Sequence, residues 1–267
     1  MKRVTSSRSP ELTNTSVRDN CLDLAQLSRL PLKALQVFGL WLLVVSAPAL
    51  GQESPNPKVI DQFWPEIDAY VKLNNSSRLF LMWAGTRTEE AGYTDGQAGI
   101  HIDWLLPPFL FKDRLTARPD IAKNKFLTLR LGYLFGTTPQ KSAAPFTEHT
   151  PMIESNSRFY FKSLLVTSRN RFDLRIKDGV FTPRYRTRLK LERTIPLGRF
   201  ALTPYTHAEA FYDWRYNVFH RFRFSAGGEL EITRRIVLES YYVHQIDTRS
   251  EPRSENIAGL ALQFYFR

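Results

Sequence analysis

Alternation of apolar and polar side chains with a period of two recurs along the chain after residue 52. Between Leu127 and Phe135, for example, leucine and aromatic residues form one face, and Thr128 and Arg130 belong to the other. Successive side chains of a β-strand point to opposite faces, so this period is typical of strands with one apolar face. Turn-forming residues separate the alternating segments. The sequence therefore predicts an all-β domain.

The first 51 residues are predicted to lie outside that domain. Residues 34–51 hold a short apolar run followed by small residues, and Arg29 and Lys33 precede it. This order is typical of a secretory signal peptide. The run is shorter than the ~20 residues that a membrane-spanning helix needs, although an uncleaved anchor remains the alternative. We expect a leader over 1–51, its polar first part reflecting an over-extended translation start, and one domain over 52–267.

Charge and cysteine content exclude several classes of protein. The formal net charge is +11, without the basic blocks expected of a nucleic-acid binder. The single cysteine, Cys21, lies in the leader, so the domain has no disulfide, thiol nucleophile or cysteine metal site. No ligand spacing indicates a metal site, and no cofactor is expected.

Alternation alone leaves open which face points inward. A soluble β-barrel turns its apolar face in, whereas a membrane barrel turns it out to lipid. The export signal, the charges of both signs along whole polar faces and the aromatic residues near strand ends together favour the membrane barrel. These aromatic residues are Trp104, Tyr212, Trp214, Tyr216 and Phe266. We predict an antiparallel transmembrane β-barrel in the outer membrane of a Gram-negative bacterium, with a soluble periplasmic binding module as the alternative.

The expected strand count follows from the number of alternating segments and from the parity of known barrels. Single-chain outer-membrane barrels of bacteria have even strand numbers. Eleven segments alternate, so we expect one more strand in 105–124 or before Trp64 and a total of about twelve, with ten as the alternative. The eleven predicted strands are 62–73, 77–87, 95–105, 125–136, 149–163, 167–177, 183–194, 200–213, 217–230, 234–247 and 256–266.

The last strand resembles the C-terminal signal by which the outer-membrane assembly machinery engages barrels. It alternates outward hydrophobic residues and ends on an aromatic residue, followed by Arg267, whereas the usual pattern ends on the aromatic residue itself. The resemblance implies the assembly machinery as a partner. The predicted signal consists of Gly259, Leu260, Leu262, Phe264 and Phe266.

Several short motifs carry a family resemblance over 151–266. They include R-x-D-L-R at 171–175, R-x-R-x-K-x-E at 186–192, LTPYTHAEAFY at 202–212 and N-x-x-x-R-x-R at 217–223. With them the chain resembles an uncharacterised outer-membrane family, domain of unknown function 2490, and the hairpin around WPEIDAYVKLNNSSRLFLMW fits its opening more loosely. The resemblance implies an outer-membrane β-barrel of unassigned function and implies no active site.

The polar faces supply the inferred lining of the lumen. Basic residues outnumber acidic ones eight to five in this set, and guanidinium groups bind carboxylates through paired hydrogen bonds, so an open lumen would favour anions. The alternative is a lumen filled by ion pairs between neighbouring strands. We predict a passive narrow channel or a structural membrane component. The lumen-lining candidates are Glu154, Arg158, Arg171, Arg175, Arg186, Arg188, Lys190, Glu192, Glu209, Arg221, Arg223, Glu229 and Glu239.

Two histidine arrangements could support catalysis. His207 and Glu209 share one strand face, whereas period two places His220 and Ser225 on opposite faces. No serine lies in a nucleophile-elbow motif. We expect no catalytic residue, with an outer-membrane enzyme acting on lipid or peptide as the alternative.

Basic residues near predicted loops suggest contact with the membrane surface. Arg184, Arg215, Arg249 and Arg253 are expected at the outer rim, where they would meet lipopolysaccharide phosphates or water. The predicted partners are therefore outer-membrane lipid including lipopolysaccharide, the assembly machinery and, through an open lumen, small anionic solutes, but no nucleic acid.

Overall fold

Eleven long strands form the body of the molecule. The computed structural model describes residues 59–88, 92–106, 119–138, 145–161, 163–249 and 254–266. The long strands are β1 (Val59–Lys72), β2 (Ser77–Thr88), β3 (Gly92–Leu106), β4 (Leu127–Thr137), β5 (Thr147–Phe161), β6 (Leu164–Asp173), β9 (Arg184–Glu192), β11 (Phe200–Asp213), β12 (Val218–Glu231), β13 (Ile236–Asp247) and β14 (Ser254–Phe266). Short strands β7 (Ile176–Lys177), β8 (Val180–Phe181) and β10 (Ile195–Leu197) and a 3-10 helix (Ile121–Asn124) lie in the connections.

The long strands close into a barrel. Ten neighbouring pairs are antiparallel, and β4 pairs with β5 to join the two halves of the sheet. The remaining seam is parallel: β1 runs beside β14 from the pair Val59–Ser254 to the pair Val71–Phe266. An odd number of strands that alternate in direction can close only through one such pair.

The expected strand count is therefore not confirmed, although the segments are. Each of the eleven predicted segments overlaps one long strand, and the barrel closes with eleven strands, not twelve. The expectation of an antiparallel pairing throughout is wrong at the β1–β14 seam. Within 105–124, the described residues 119–124 contain the 3-10 helix, while 107–118 and the chain before Val59 lie outside the described residues.

Burial in this barrel is inverted relative to a water-soluble protein. Trp83 is 70% exposed and Ile153 is 55% exposed on the outer face, while the side chains of Asp103 and Asp173 on the inner face are fully buried. The apolar rows thus point outward and the charged rows inward, as expected for a barrel that faces lipid. No helix among the described residues is long and apolar enough to cross a membrane.

The two ends of the barrel differ. We call the end where β14 finishes the C-terminal rim and the end where β1 begins the N-terminal rim. The expected aromatic residues lie at these rims: Trp104 and Phe266 are exposed at the C-terminal rim. At the N-terminal rim the Trp214 ring lies 5.1 Å from Tyr212, and Tyr216 is exposed in the adjoining turn.

Candidate functional site: the barrel lumen

The structure places all thirteen lumen-lining candidates on the inner side of the barrel. Period two fixes this orientation within the strands, and Arg175, just beyond β6, turns inward to Glu148, with its Nη2 2.7 Å from a carboxylate oxygen. Arg158 donates to the Thr128 hydroxyl at 2.7 Å, and Arg221 donates to Asp247 at 2.8 Å. Several of the charged groups that line the lumen therefore have partners on other strands.

A short segment between β3 and β4 crosses the lumen at the C-terminal rim. We call residues 119–125 the plug. Asp120 is the N-cap of its 3-10 helix: the Asp120 carboxylate accepts from the Ala122 amide at 2.9 Å and so satisfies an otherwise free backbone donor. Ala122 is completely buried, so the segment is packed inside the barrel.

Ion pairs fix the plug to opposite walls. Asp120 accepts from the Arg78 guanidinium of β2 at 2.6 Å. The Lys123 ammonium lies 2.9 Å from a Glu192 oxygen on β9 and 2.5 Å from a Glu229 oxygen on β12. The Tyr160 hydroxyl of β5 donates to the Lys123 carbonyl at 3.0 Å. Because β2 and β9 lie on opposite sides of the eleven-stranded ring, the plug spans the lumen.

Four charges alternate around the Lys123 end of the plug. Lys190 of β9 binds the same two carboxylates as Lys123, at 3.0 Å from Glu192 and 2.9 Å from Glu229. The four side chains are between 2% and 13% exposed. Two cations and two anions therefore neutralise one another in a site that little water reaches, which is the condition under which buried charges are tolerated.

Burial and neighbouring cations act in opposite directions on the carboxyl of the plug. Burial of Asp120 raises its pKa, but the charges of Arg78, Lys123 and Arg158 lower it by more, and the pKa falls from 3.8 to about 2. The Asp120 carboxylate is thus ionised, and its ion pair with Arg78 is intact, across the physiological range.

A second group of charges lies in the half of the lumen nearer the N-terminal rim. Glu209 of β11 accepts from Arg169 at 2.5 Å and from Arg186 at 2.8 Å, both on the same oxygen. In the strand registers, Arg188 of β9 and Arg223 of β12 lie directly opposite Glu209 on its two sides. Four guanidinium groups therefore surround one carboxylate on this wall, which we call the arginine wall.

Acidic side chains lie both across the lumen from the arginine wall and beside it. Glu66 and Asp68 lie on β1, across the ring from β9, whereas Glu239 lies on β13, next to β12. Glu239 accepts from the Tyr205 hydroxyl and from the Gln263 amide, the latter at 2.7 Å. Asp68 accepts from the Tyr70 hydroxyl at 3.3 Å. Acidic residues of β1 thus lie across the lumen from the arginine wall, and Glu239 lies beside that wall.

The histidines form no nucleophile–base pair among the described residues. His207 and Glu209 do share the inner face, and His207 lies opposite Ser225 in the β11–β12 register, yet His207 Nδ1 and Ser225 Oγ are each buried without a hydrogen-bond partner. A register shift between Phe211 and Tyr212 bulges β12 at His220. The His220 ring then lies 3.9 Å from an Asp247 oxygen instead of following period two. No metal-binding cluster of three His, Cys, Asp or Glu occurs in the described part of the chain.

Three of the four predicted rim arginines are described, and they lie at one end of the barrel. Arg184, Arg215 and Arg249 lie at the N-terminal rim, and Arg253 lies outside the described residues. Arg184 points inward and donates to Asp173 at 3.1 Å. Arg215, 46% exposed, lies 2.7 Å from Asp213.

The predicted C-terminal signal divides between the two faces of β14. Leu260 and Phe266 are exposed on the outer face, with Leu262 and Phe264 half-buried in the same row. Gly259 points into the lumen beneath the Tyr241 ring, where a Cβ would lie 2.1 Å from the ring carbon Cζ. A glycine at this position is therefore explained by packing.

The lumen-lining set predicted from the sequence lacks several residues that form the contacts inside the barrel. They are Arg78, Asp103, Asp120, Lys123 and Arg169. Arg169 lies two positions before Arg171 on the same strand, so the period of two is a signal that places its side chain in the lumen as well. The sequence Asp-x-Ala-Lys at 120–123 gives no comparable indication of a plug, because a four-residue helix shows no periodicity.

Comparison with known proteins supplies the family. Residues 61–256 match the profile of a family described as protein of unknown function, DUF2490. The chain belongs to this family. The match confirms the resemblance carried by the motifs at 171–175 and 186–192, and it covers most of the barrel. Membership in the DUF2490 family assigns no activity. No curated protein matches the chain.

Two solved structures are among those similar to this DUF2490 chain. The β domain of the Bordetella autotransporter Brka shares 13% identity over 71% of this chain and 82% of its own, with a TM-score of 0.40. The anion-selective porin from Comamonas acidovorans shares 10% identity over 73% of this chain and 54% of its own, with a TM-score of 0.35. At these values neither structure informs the function of this chain.

Proposed function

We propose that the protein is an outer-membrane β-barrel that stands closed and acts as a structural membrane component, not as a permanently open channel. The plug carries this proposal. It is bonded to β2, β5, β9 and β12, which are spaced around the ring, and its charged contacts are largely buried. A lumen crossed by such a segment leaves little space for solutes at the C-terminal rim.

Placement in the outer membrane rests on the surface of the barrel. The outer face carries rows of exposed large hydrophobic residues, far more than a soluble monomer shows. Lipid is the solvent that suits such a surface, and the predicted signal peptide supplies the route to it. Outer-membrane lipid including lipopolysaccharide and the assembly machinery are the proposed partners, and no nucleic acid is among them.

Two experiments test the proposal. In outer-membrane fractions, the folded barrel should migrate differently on a gel before and after boiling, whereas a soluble protein extracted without detergent would refute the membrane assignment. In planar bilayers the purified protein should give no steady conductance. Steady single-channel currents that change ion selectivity after Arg186→Glu and Arg188→Glu would instead establish an anion channel.

We also propose that the protein is not an enzyme. The His207 imidazole and the Ser225 hydroxyl lie close in register but are not hydrogen-bonded, and both face the lumen, away from lipid substrates. Incubation with phospholipid and with unfolded protein substrates should give no turnover that differs between the native protein and the His207→Ala variant. Turnover that is lost in this variant would overturn the proposal.

A further inference from the structure

We infer that the lumen holds a binding site for one small oxyanion, a carboxylate or a phosphate, on the arginine wall. The site lies between Arg188 and Arg223, beside Glu209, and Ser225 contributes a hydroxyl. It is on the N-terminal side of the plug and does not depend on whether the barrel conducts, so it goes beyond the function proposed above.

The first observation is an excess of positive charge around Glu209. Arg169 and Arg186 already occupy one oxygen of this carboxylate. In the described part of the chain, neither Arg188 nor Arg223 has a carboxylate oxygen within 4.0 Å. The Arg223 Nε donates instead to the neutral amide of Gln245 at 2.6 Å. Because cations away from bulk water need a counter-charge, and these two make no ion pair within 4.0 Å with any described residue, this wall is suited to an additional anion.

The second observation is a set of buried polar atoms without partners at the same place. Arg188 Nε has no hydrogen-bond partner, and neither has Ser225 Oγ, in a residue that is only 3% exposed. His207 Nδ1, in the row between them, is also unpartnered. Buried donors in native proteins are as a rule hydrogen-bonded. Two donor groups and an imidazole on three neighbouring strands, within two register positions of one another, therefore describe the lining of an oxyanion site.

The chemistry of the lining defines the ligand. Guanidinium groups present paired donors that match the oxygens of a carboxylate or phosphate. Glu66 and Asp68 lie across the lumen from the site on β1, and Glu239 lies beside it on β13, next to β12. These acidic residues would repel a second negative group extending from the ligand. The site is thus suited to a small anion with its charge in one group, and not to a polyanionic chain.

Access is possible because the key side chains are not fully enclosed. Arg188 and Arg223 are half-buried, while Glu209 behind them is only 5% exposed. The Arg223 guanidinium lies 4.8 Å from the Phe211 ring centre and 5.0 Å from that of Trp64. The two rings hold this guanidinium from the sides, so its orientation is set before an anion arrives.

Calorimetric titration tests the inference with the full-length mature protein in non-ionic detergent. Inorganic phosphate and acetate are titrated separately, with ionic strength held constant by sodium chloride. We expect saturable binding of at least one of them, weakened about tenfold or more by Arg188→Gln or by Arg223→Gln. Arg215→Gln, which removes an exposed arginine already paired with Asp213, is the matched control and should leave binding unchanged.

Glu209→Gln supplies a readout that a merely structural role would not give. Removal of the carboxylate that competes for the arginines should tighten binding of the same anion several-fold. If this variant fails to refold, Arg188→Lys replaces it, and it should retain more affinity than Arg188→Gln because it keeps the charge. The inference is overturned if neither anion binds saturably, or if Arg188→Gln binds as tightly as the unaltered protein.

Discussion

Replacement of Lys123 by methionine tests the plug most directly. The substitution keeps the length of the side chain and removes one of the two cations that neutralise Glu192 and Glu229. Lys190 then faces both carboxylates alone, leaving one net negative charge in a site where side chains are at most 13% exposed. Removal of one partner of a buried ion pair costs about 3–5 kcal/mol. We expect the free energy of unfolding to fall by about 3 kcal/mol, because some water can enter from the rim.

Urea unfolding of the refolded barrel, followed by tryptophan fluorescence, measures this change. The matched control is the double variant Lys123→Met/Glu229→Gln, which restores neutrality and should recover about 2 kcal/mol of the loss. A second control, Lys190→Met, leaves the same carboxylates with one cation but does not alter the plug. Both single variants should lose similar stability, and only Lys123→Met should raise bilayer conductance.

Two results would refute this account of the plug. The first is a loss below about 0.5 kcal/mol for Lys123→Met, within the range of an ordinary surface substitution. The second is an equal conductance for Lys123→Met and Lys190→Met, since the effect would then come from charge alone and not from release of the segment.

Three further predictions concern the membrane face, the C-terminal strand and pH. Ile153→Arg, at mid-strand on the outer face, should destabilise the barrel in lipid by about 2–4 kcal/mol. Phe161→Arg, in the same row but at the rim, should destabilise it by at most about 1 kcal/mol. Equal effects of the two variants in urea titrations would contradict a lipid-facing surface. Gly259→Ala should lower the free energy of unfolding by about 1–3 kcal/mol through overpacking, and adding Tyr241→Ala should recover part of that loss. If the double variant does not recover heat-modifiable folding, the glycine is required by the assembly signal and not by packing. Because the pKa of Asp120 is lowered from 3.8 to about 2, its ionised form stabilises the folded protein by about 2 kcal/mol above pH 4, and this stability is lost as the pH falls through 2. Planar bilayers that contain the protein should therefore show no conductance down to about pH 3. Conductance that begins near pH 5 would exclude Asp120 as the anchor of the plug.

The strands could be predicted from the sequence because two solvents act on them. Lipid outside and charged groups inside impose a strict period of two, which is why each predicted segment overlaps a long strand. The count could not be settled in the same way. The β1–β14 pairing joins segments with no turn between them, and nothing local to Val59 or Ser254 indicates its direction.

The sequence predicted which side chains face the lumen, but not which of them pair with one another. Period two places Arg175, Arg186 and Glu209 inside, yet which charges meet depends on the register between strands that are distant in sequence. Arg175, for example, pairs with Glu148, 27 positions away. The plug lies further beyond sequence reasoning, because its contacts cross the whole barrel and its helix is too short to produce a pattern.

The parallel seam also has a consequence for how the protein reaches its final form. Ten of the eleven pairings join strands that follow one another along the chain, so each can form as a local hairpin or short connection. The seam brings together Val59 and Ser254, about 195 positions apart. Closing a loop of that length costs about 3 kcal/mol more chain entropy than closing a four-residue turn. The seam should therefore form last, and until then the protein is an open, curved sheet with two unpaired edges that must be kept from pairing with other chains.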